Sequence, residues 1–148
     1  MQVKDVMTAD PACCTRETPL TEVAGLMVAN DCGEIPVVED KTSKRPIGVV
    51  TDRDIVCRTI ANNINPLEKT AADCMSTPIV TVTPDLPVEE CCRIMEEKQI
   101  RRVPVIDDQG AICGIVALAD VVRHSGENAA GELVKEVSEP TRSASAAG

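Results

Sequence analysis

The chain repeats itself, and this limits its fold more than any other feature. Asp5, Met7, Thr15, Pro19, Glu22, Met27, Pro36, Val37 and Asp40 return at one constant offset as Asp73, Met75, Thr83, Pro87, Glu90, Met95, Pro104, Val105 and Asp108. The offset shortens by two where KTSKRP in the first copy gives way to QGA in the second. Gly48, Val50 and Asp54 then return as Gly114, Val116 and Asp120. Two homologous copies explain this better than chance does. One copy alone is too small to bury both faces of a sheet, so the two are expected to share a core.

Each copy carries the same local signals. A short extended segment (Ala12–Cys14; Ile79–Val82) leads to Pro19 or Pro87, suited to a first helical turn where a missing N–H costs nothing. Leu20, Val23, Ala24 and Met27 then fall on one helical face, as do Val88, Cys91, Cys92 and Met95. Two apolar runs follow, IPVVED then IGVV, and VPVIDD then ICGIV, which read as a hairpin of buried strands. Second helices are expected over about 52–62 and 118–124, with a linker at Asn62–Pro66. The expected division is a first repeat at 1–65, a second at 66–126, and a C-terminal helix with a flexible tail at 127–148. The fold class is therefore α/β with mixed sheets, two β-α-β-β-α repeats packed as a pseudo-two-fold pair.

Composition narrows the function. At 43% hydrophobic residues the chain can bury a core, yet it has no Phe, Tyr or Trp, so any bound base must lie between aliphatic side chains. A net charge of −9 argues against general binding to nucleic acid and against an anionic membrane surface. The stretch MQVKDVMTADPACC lacks the apolar region of a secretory signal, and no run is long enough for a membrane span, so the cytoplasm is the expected compartment. There are 8 Cys but only one His, His124, and no C-x-x-C, which gives little support to a zinc site. Small apolar filling is the simpler role for the thiols. Cys13, Cys14 and Cys32 are the ones to watch for redox chemistry. His124 suits a helix C-terminus, where the dipole favours a cation. No nucleophile motif, P-loop or GxGxxG is present, and no enzymatic activity is expected.

Gly48-Val49-Val50-Thr51-Asp52-Arg53-Asp54, with VMT near the start and IPVV before the hairpin, resembles the CBS (cystathionine beta-synthase) domain family over roughly residues 2–125. The resemblance implies paired domains with two clefts that take AMP, ADP, ATP, S-adenosylmethionine or dinucleotides. It implies that the motif Asp holds the ribose hydroxyls and that the Ser/Thr touches a phosphate. Basic residues of the other half would reach the phosphates, with the base in an apolar slot. The chemistry is sound: a carboxylate accepts two hydrogen bonds from a vicinal diol, and Arg clamps phosphate through charge-assisted bonds.

On this resemblance Thr51 and Asp54 are the polar centre of one cleft, Arg101 and Arg102 its phosphate clamp, Arg53 an added charge, and Val49 and Ile35 the base slot. The second copy departs from the pattern. Ala117 stands where Thr51 stands, although Asp120 remains, and Gly33 and Glu34 replace the arginine pair. That cleft is expected to be empty or to take a ligand without phosphate. Thr51-x-x-Asp54 is also a helix-capping signature, a reading compatible with ligand binding. The expected function is a regulatory module that senses an adenosine-containing ligand, needs no cofactor, forms a homodimer through helices near 19–30 and 52–62, and acts on a separate effector protein. The alternative is a constitutive scaffold that kept the fold and lost the ligand.

Overall fold

The computed structural model describes residues 1–125. The helix and tail expected over 127–148 lie outside these. In chain order the elements are α1 (Val3–Val6), β1 (Thr8–Ala9), α2 (Leu20–Asn30), β2 (Glu34–Val38), β3 (Pro46–Thr51), α3 (Asp52–Arg58), α4 (Ala71–Cys74), α5 (Val88–Lys98), β4 (Arg102–Ile106), β5 (Ile112–Ala117) and α6 (Leu118–Ser125). Short 3-10 turns at Ile60–Asn62 and Pro66–Glu68 follow α3.

The chain divides into two compact units, and these are not the two sequence copies. One runs from Ala12 to Ile79; the other joins Met1–Pro11 to the chain from Val80 onward. The opening segment of each copy, around Asp5-Val6-Met7 and Asp73-Cys74-Met75, thus belongs to the unit built by the other copy's helices and hairpin.

In the Ala12–Ile79 unit, β2 and β3 form an antiparallel hairpin, with Ile35 opposite Val50 and Val37 opposite Gly48. Cys14 adds to β2 in parallel: its N–H donates to the Pro36 carbonyl at 3.0 Å, and its carbonyl accepts from Val38 at 2.8 Å. Ser76 adds to the other edge, exchanging backbone hydrogen bonds with Val49 in both directions at 2.8 and 3.2 Å. The predicted first strand is therefore a single bridge, and the sheet is mixed. Every residue of β2 after Glu34 is buried, the mark of a strand covered on both faces. Over it pack Leu20, Val23 and Met27 of α2, with Ala71 and Cys74 of α4. Ala24, expected on this face, is exposed, because the buried stripe follows i, i+3, i+7 and Leu26 supplies the flanking contact instead.

The second unit repeats the plan. β4 and β5 pair antiparallel, β1 adds to β5 (Thr8 opposite Ile115), and Val82 bridges β4 in parallel at Val105. Val3 and Val6 of α1 sit in its core with Val88, Cys91 and Met95 of α5 and Val103, Val105 and Val116 of the hairpin. Pro19 and Pro87 stand one residue ahead of their helices, at the N-cap, and both helices end on a left-handed residue, Asp31 (φ 49°) and Gln99 (φ 57°). α3 stops at Arg58, earlier than expected, because Thr59 turns its hydroxyl onto the Ile55 carbonyl at 2.5 Å and leaves helical geometry.

Candidate ligand-binding site

Thr51 closes β3 and caps α3. Its hydroxyl accepts from the Asp54 N–H at 2.9 Å, and its own N–H donates to Asp54 Oδ2 at 3.0 Å. This reciprocal cap satisfies two donors that the helix start would leave unpaired. An acid playing this part is common in the molecule: Asp5 accepts from the Gln2 N–H at 2.8 Å, Asp73 from Thr70 at 2.8 Å and Asp120 from Ala117 at 3.1 Å. Asp5 and Asp73 are exposed and serve their short helices. Asp54 and Asp120, the motif acids, are half-buried.

A second set of donors separates those two. The Ser76 hydroxyl lies 3.3 Å from both Asp54 oxygens. Ser76 is itself held by Arg58, whose guanidinium reaches the Ser76 Oγ at 3.2 Å, the Met75 carbonyl at 2.7 Å and the Cys74 carbonyl at 3.2 Å. Arg58 thus ties the segment after α4 to α3, and a neutral, rotatable hydroxyl faces the motif carboxylate. At Asp120 the same place is taken by a cation: Arg123 donates to Oδ1 at 2.9 Å. His124 Nδ1 lies 2.8 Å from the Asp120 carbonyl, in the last turn of α6.

The remaining candidates fall as follows. Val49 is half-buried on β3, and Ile35 is fully buried on β2 opposite Val50, in the core of the same unit. Arg53 is exposed in the first turn of α3. Arg101 and Arg102 belong to the other unit, where Arg102 opens β4 opposite Ala117 and the Arg101 carbonyl accepts from the Leu118 N–H at 2.8 Å. Within its own unit Thr51 stands opposite Glu34, and the Asp52 N–H donates to the Gly33 carbonyl at 2.9 Å.

Sequence reasoning missed Ser76 and Arg58. The available signal was the repeat itself, since Ser76 occupies the position of Thr8 in the VMT element. What hid it was the exchange of opening segments, which brings Ser76 to the first hairpin although it belongs to the second copy.

The cysteines divide by burial. Cys14 and Cys91 are buried, and desolvation pushes each thiol from its ordinary 9.0 up to about 12. Burial and the raised pKa both disfavour the Cys14 thiolate that redox chemistry uses. Cys32 is half-buried with its Sγ 3.5 Å from the Glu34 carbonyl, and Cys57 is exposed on α3. No group of three His, Cys, Asp or Glu among the described residues is placed to hold a metal ion. No helix among them is long and apolar enough to cross a membrane.

Paired hairpins, each opening a helix with a half-buried Asp, define a tandem-repeat class of mixed α/β fold, and comparison with known proteins agrees. Residues 3–58 and 71–127 each match the CBS domain, and the chain belongs to that family, as a tandem pair with a mixed α/β fold. It is 38% identical over 120 residues to the protein MK0525 of Methanopyrus kandleri, covering 81% of this chain and 58% of that one. It is 36% identical over 142 residues to hypoxic response protein 1 of Mycobacterium tuberculosis, covering 96% of this chain and 97% of the relative. The crystal structure of the latter, with two coordinated zinc ions, superposes with a TM-score of 0.76 at 35% identity, over 85% of this chain and all of that one. CBSX2 of Arabidopsis thaliana in complex with AMP gives 0.70 at 25% identity, over 82% and 94% of the two chains. The CBS domain pair of MJ0100, in complex with 5′-methylthioadenosine and S-adenosyl-L-methionine, gives 0.72 at 26%, over 83% and 94%.

Proposed function

We propose that this chain is a regulatory module that binds an adenosine-containing nucleotide of the AMP, ADP or ATP class at the Thr51–Asp54 motif and reports occupancy to a separate partner. The observation that carries the reading is the environment of Asp54. It is a half-buried carboxylate met by a neutral hydroxyl at 3.3 Å from both oxygens. A ribose diol can replace that contact with two stronger charge-assisted bonds, and Ser76 can rotate to accept as well as donate. The AMP complex of CBSX2 and the S-adenosylmethionine complex of MJ0100 support an adenosine ligand.

In this reading Asp54 takes the diol and Thr51 the nearest phosphate. Arg101 and Arg102 of the second repeat complete the phosphate side, with Arg53 adding charge. Val49 and Ile35 are the proposed lining of the base slot, with Ile35 buried in the core of its unit. Signalling requires that the ligand bind one conformation or assembly better than another. A homodimer is the proposed assembly. The exposed Val28 of α2 (83%), Val56 of α3 (51%), Ile60 (60%) and Leu67 (71%) are the apolar side chains such a contact would cover. No catalytic role is assigned to any residue, and the cytoplasm remains the proposed compartment.

The test is a thermal-shift screen against AMP, ADP, ATP, NAD, S-adenosylmethionine and adenosine. A ligand that binds only the folded protein raises the melting temperature with occupancy. A shift with a phosphate-bearing ligand, abolished in Asp54→Ala and weakened in Arg102→Ala, is the expected result. A flat response at saturating concentration would transfer the case to the scaffold reading. That second reading is favoured by one observation: Asp5 and Asp73 perform the same capping as Asp54 without belonging to either motif.

A further inference from the structure

We infer that Arg123 is the residue that withholds the second motif from ligand, by occupying the carboxylate oxygen that a ribose diol would need. This rests on the reading that an adenosine diol docks on the motif Asp.

The two motifs present the same acid in two different states. Asp54 and Asp120 each spend Oδ2 on the N–H of the capping residue, at 3.0 Å from Thr51 and 3.1 Å from Ala117. The other oxygen differs. At Asp54 it meets the Ser76 hydroxyl at 3.3 Å, a long neutral contact. At Asp120 it meets the Arg123 guanidinium at 2.9 Å, a charge-assisted one. The residue that corresponds to Arg123 in the first copy, three beyond Asp54, is Cys57, which carries no charge. At this position of the repeat the second motif thus carries a charge that the first lacks.

The clamp is favoured locally. Asp and Arg at i, i+3 on a helix face each other. The carboxylate side chain is only 13% exposed while the arginine is 69% exposed, so the acid is fixed by packing and the arginine comes to it from solvent. A diol approaching Asp120 must displace a cation, leave that cation unpaired and accept only one free oxygen. Exposed pairs of this kind are worth at most about 1 kcal/mol, which sets the expected gain on removing the clamp at up to about fivefold in affinity. Arg123 is thus a specificity-determining residue: it weakens the second motif acid as a diol acceptor relative to the first.

The experiment isolates the second motif. Adenosine, which has the diol and no phosphate, is titrated calorimetrically into the full chain carrying Asp54→Ala, Asp54→Ala with Arg123→Ala, and both of these with Asp120→Ala, each first shown to melt cooperatively. The expected result is that Arg123→Ala tightens adenosine binding about fivefold in the Asp54→Ala background, and that adding Asp120→Ala removes the gain. Arg123→Gln, which keeps a donor without the charge, is expected to fall between. Equal affinity with and without Arg123, or a gain that survives Asp120→Ala, would overturn the inference while leaving the first site intact. Binding by the unsubstituted protein alone, with none in any Asp54→Ala background, would overturn it as well. No adenosine binding by the unsubstituted protein or by any variant would overturn the inference, while the thermal-shift response to AMP, ADP and ATP decides the underlying reading separately.

Discussion

Among single residues, the buried thiols carry the sharpest consequence for stability. Cys14 and Cys91 fill core space in separate units, and burial raises each to about 12 from an ordinary 9.0. Unfolded, they ionise near 9.0; folded, they hold their protons. Their contribution is thus fully present below that pH and is lost as pH rises toward 12, where the unfolded chain gains by releasing protons that the folded one keeps. The melting temperature is expected to fall across this window. Cys14→Ala with Cys91→Ala should flatten the fall while lowering stability at neutral pH through the cavities left behind; melts recorded from pH 7 to 11 check both. Thr51 and Asp54 were legible at this scale from spacing alone, because a hydroxyl and an acid three apart after a strand already specify a cap. Ser76 and Arg58 were not, since nothing in the residues around them states which sheet edge they will meet.

The elements show why the hairpins require their glycines. A Cβ on Gly48 would lie 2.9 Å from the Ser76 carbonyl oxygen, which is backbone and pinned by its bond to Val49. A Cβ on Gly114 would meet first the Met7 sulfur, the flexible end of a side chain. Gly48→Ala is therefore expected to cost about 2 kcal/mol and Gly114→Ala about 1 kcal/mol, measured by urea denaturation. Gly48→Ala should also weaken ligand binding, as Ser76 cannot give way without moving from Asp54. The two long helices, both hairpins and α6 were readable from apolar period and from the repeat. α1 and α4 were not, because four residues show no period. The early end of α3 was hidden because Thr59 stops it through a side-chain bond that a hydrophobic pattern does not register.

For the whole molecule, the repeat announced a pair, and the family match agrees, but it did not announce that each copy lends its opening segment to the other's unit. Periodicity counts copies; it does not say which edge a short segment pairs with. If the apolar side chains on α2 and α3 mediate the proposed homodimer, Val28→Glu with Val56→Glu should give a monomer by light scattering with little loss of fold, since both side chains are already exposed. The exchanged segment gives a test of its own. Val3 is fully buried in the unit that begins again at Val80, so Val3→Ala is expected to cost about 2 kcal/mol and to speed amide exchange in α5 and β5 before the Ala12–Ile79 unit is affected. The same feature sets an order of events during synthesis. Residues 1–11 leave the ribosome before β5 but have no sheet to join until β5 has been made, and the whole of the other unit emerges in between. The nascent chain must carry Val3 and Val6 unburied through that interval and then close a long loop, so this unit is the late one to form and the one that a holding chaperone has reason to meet.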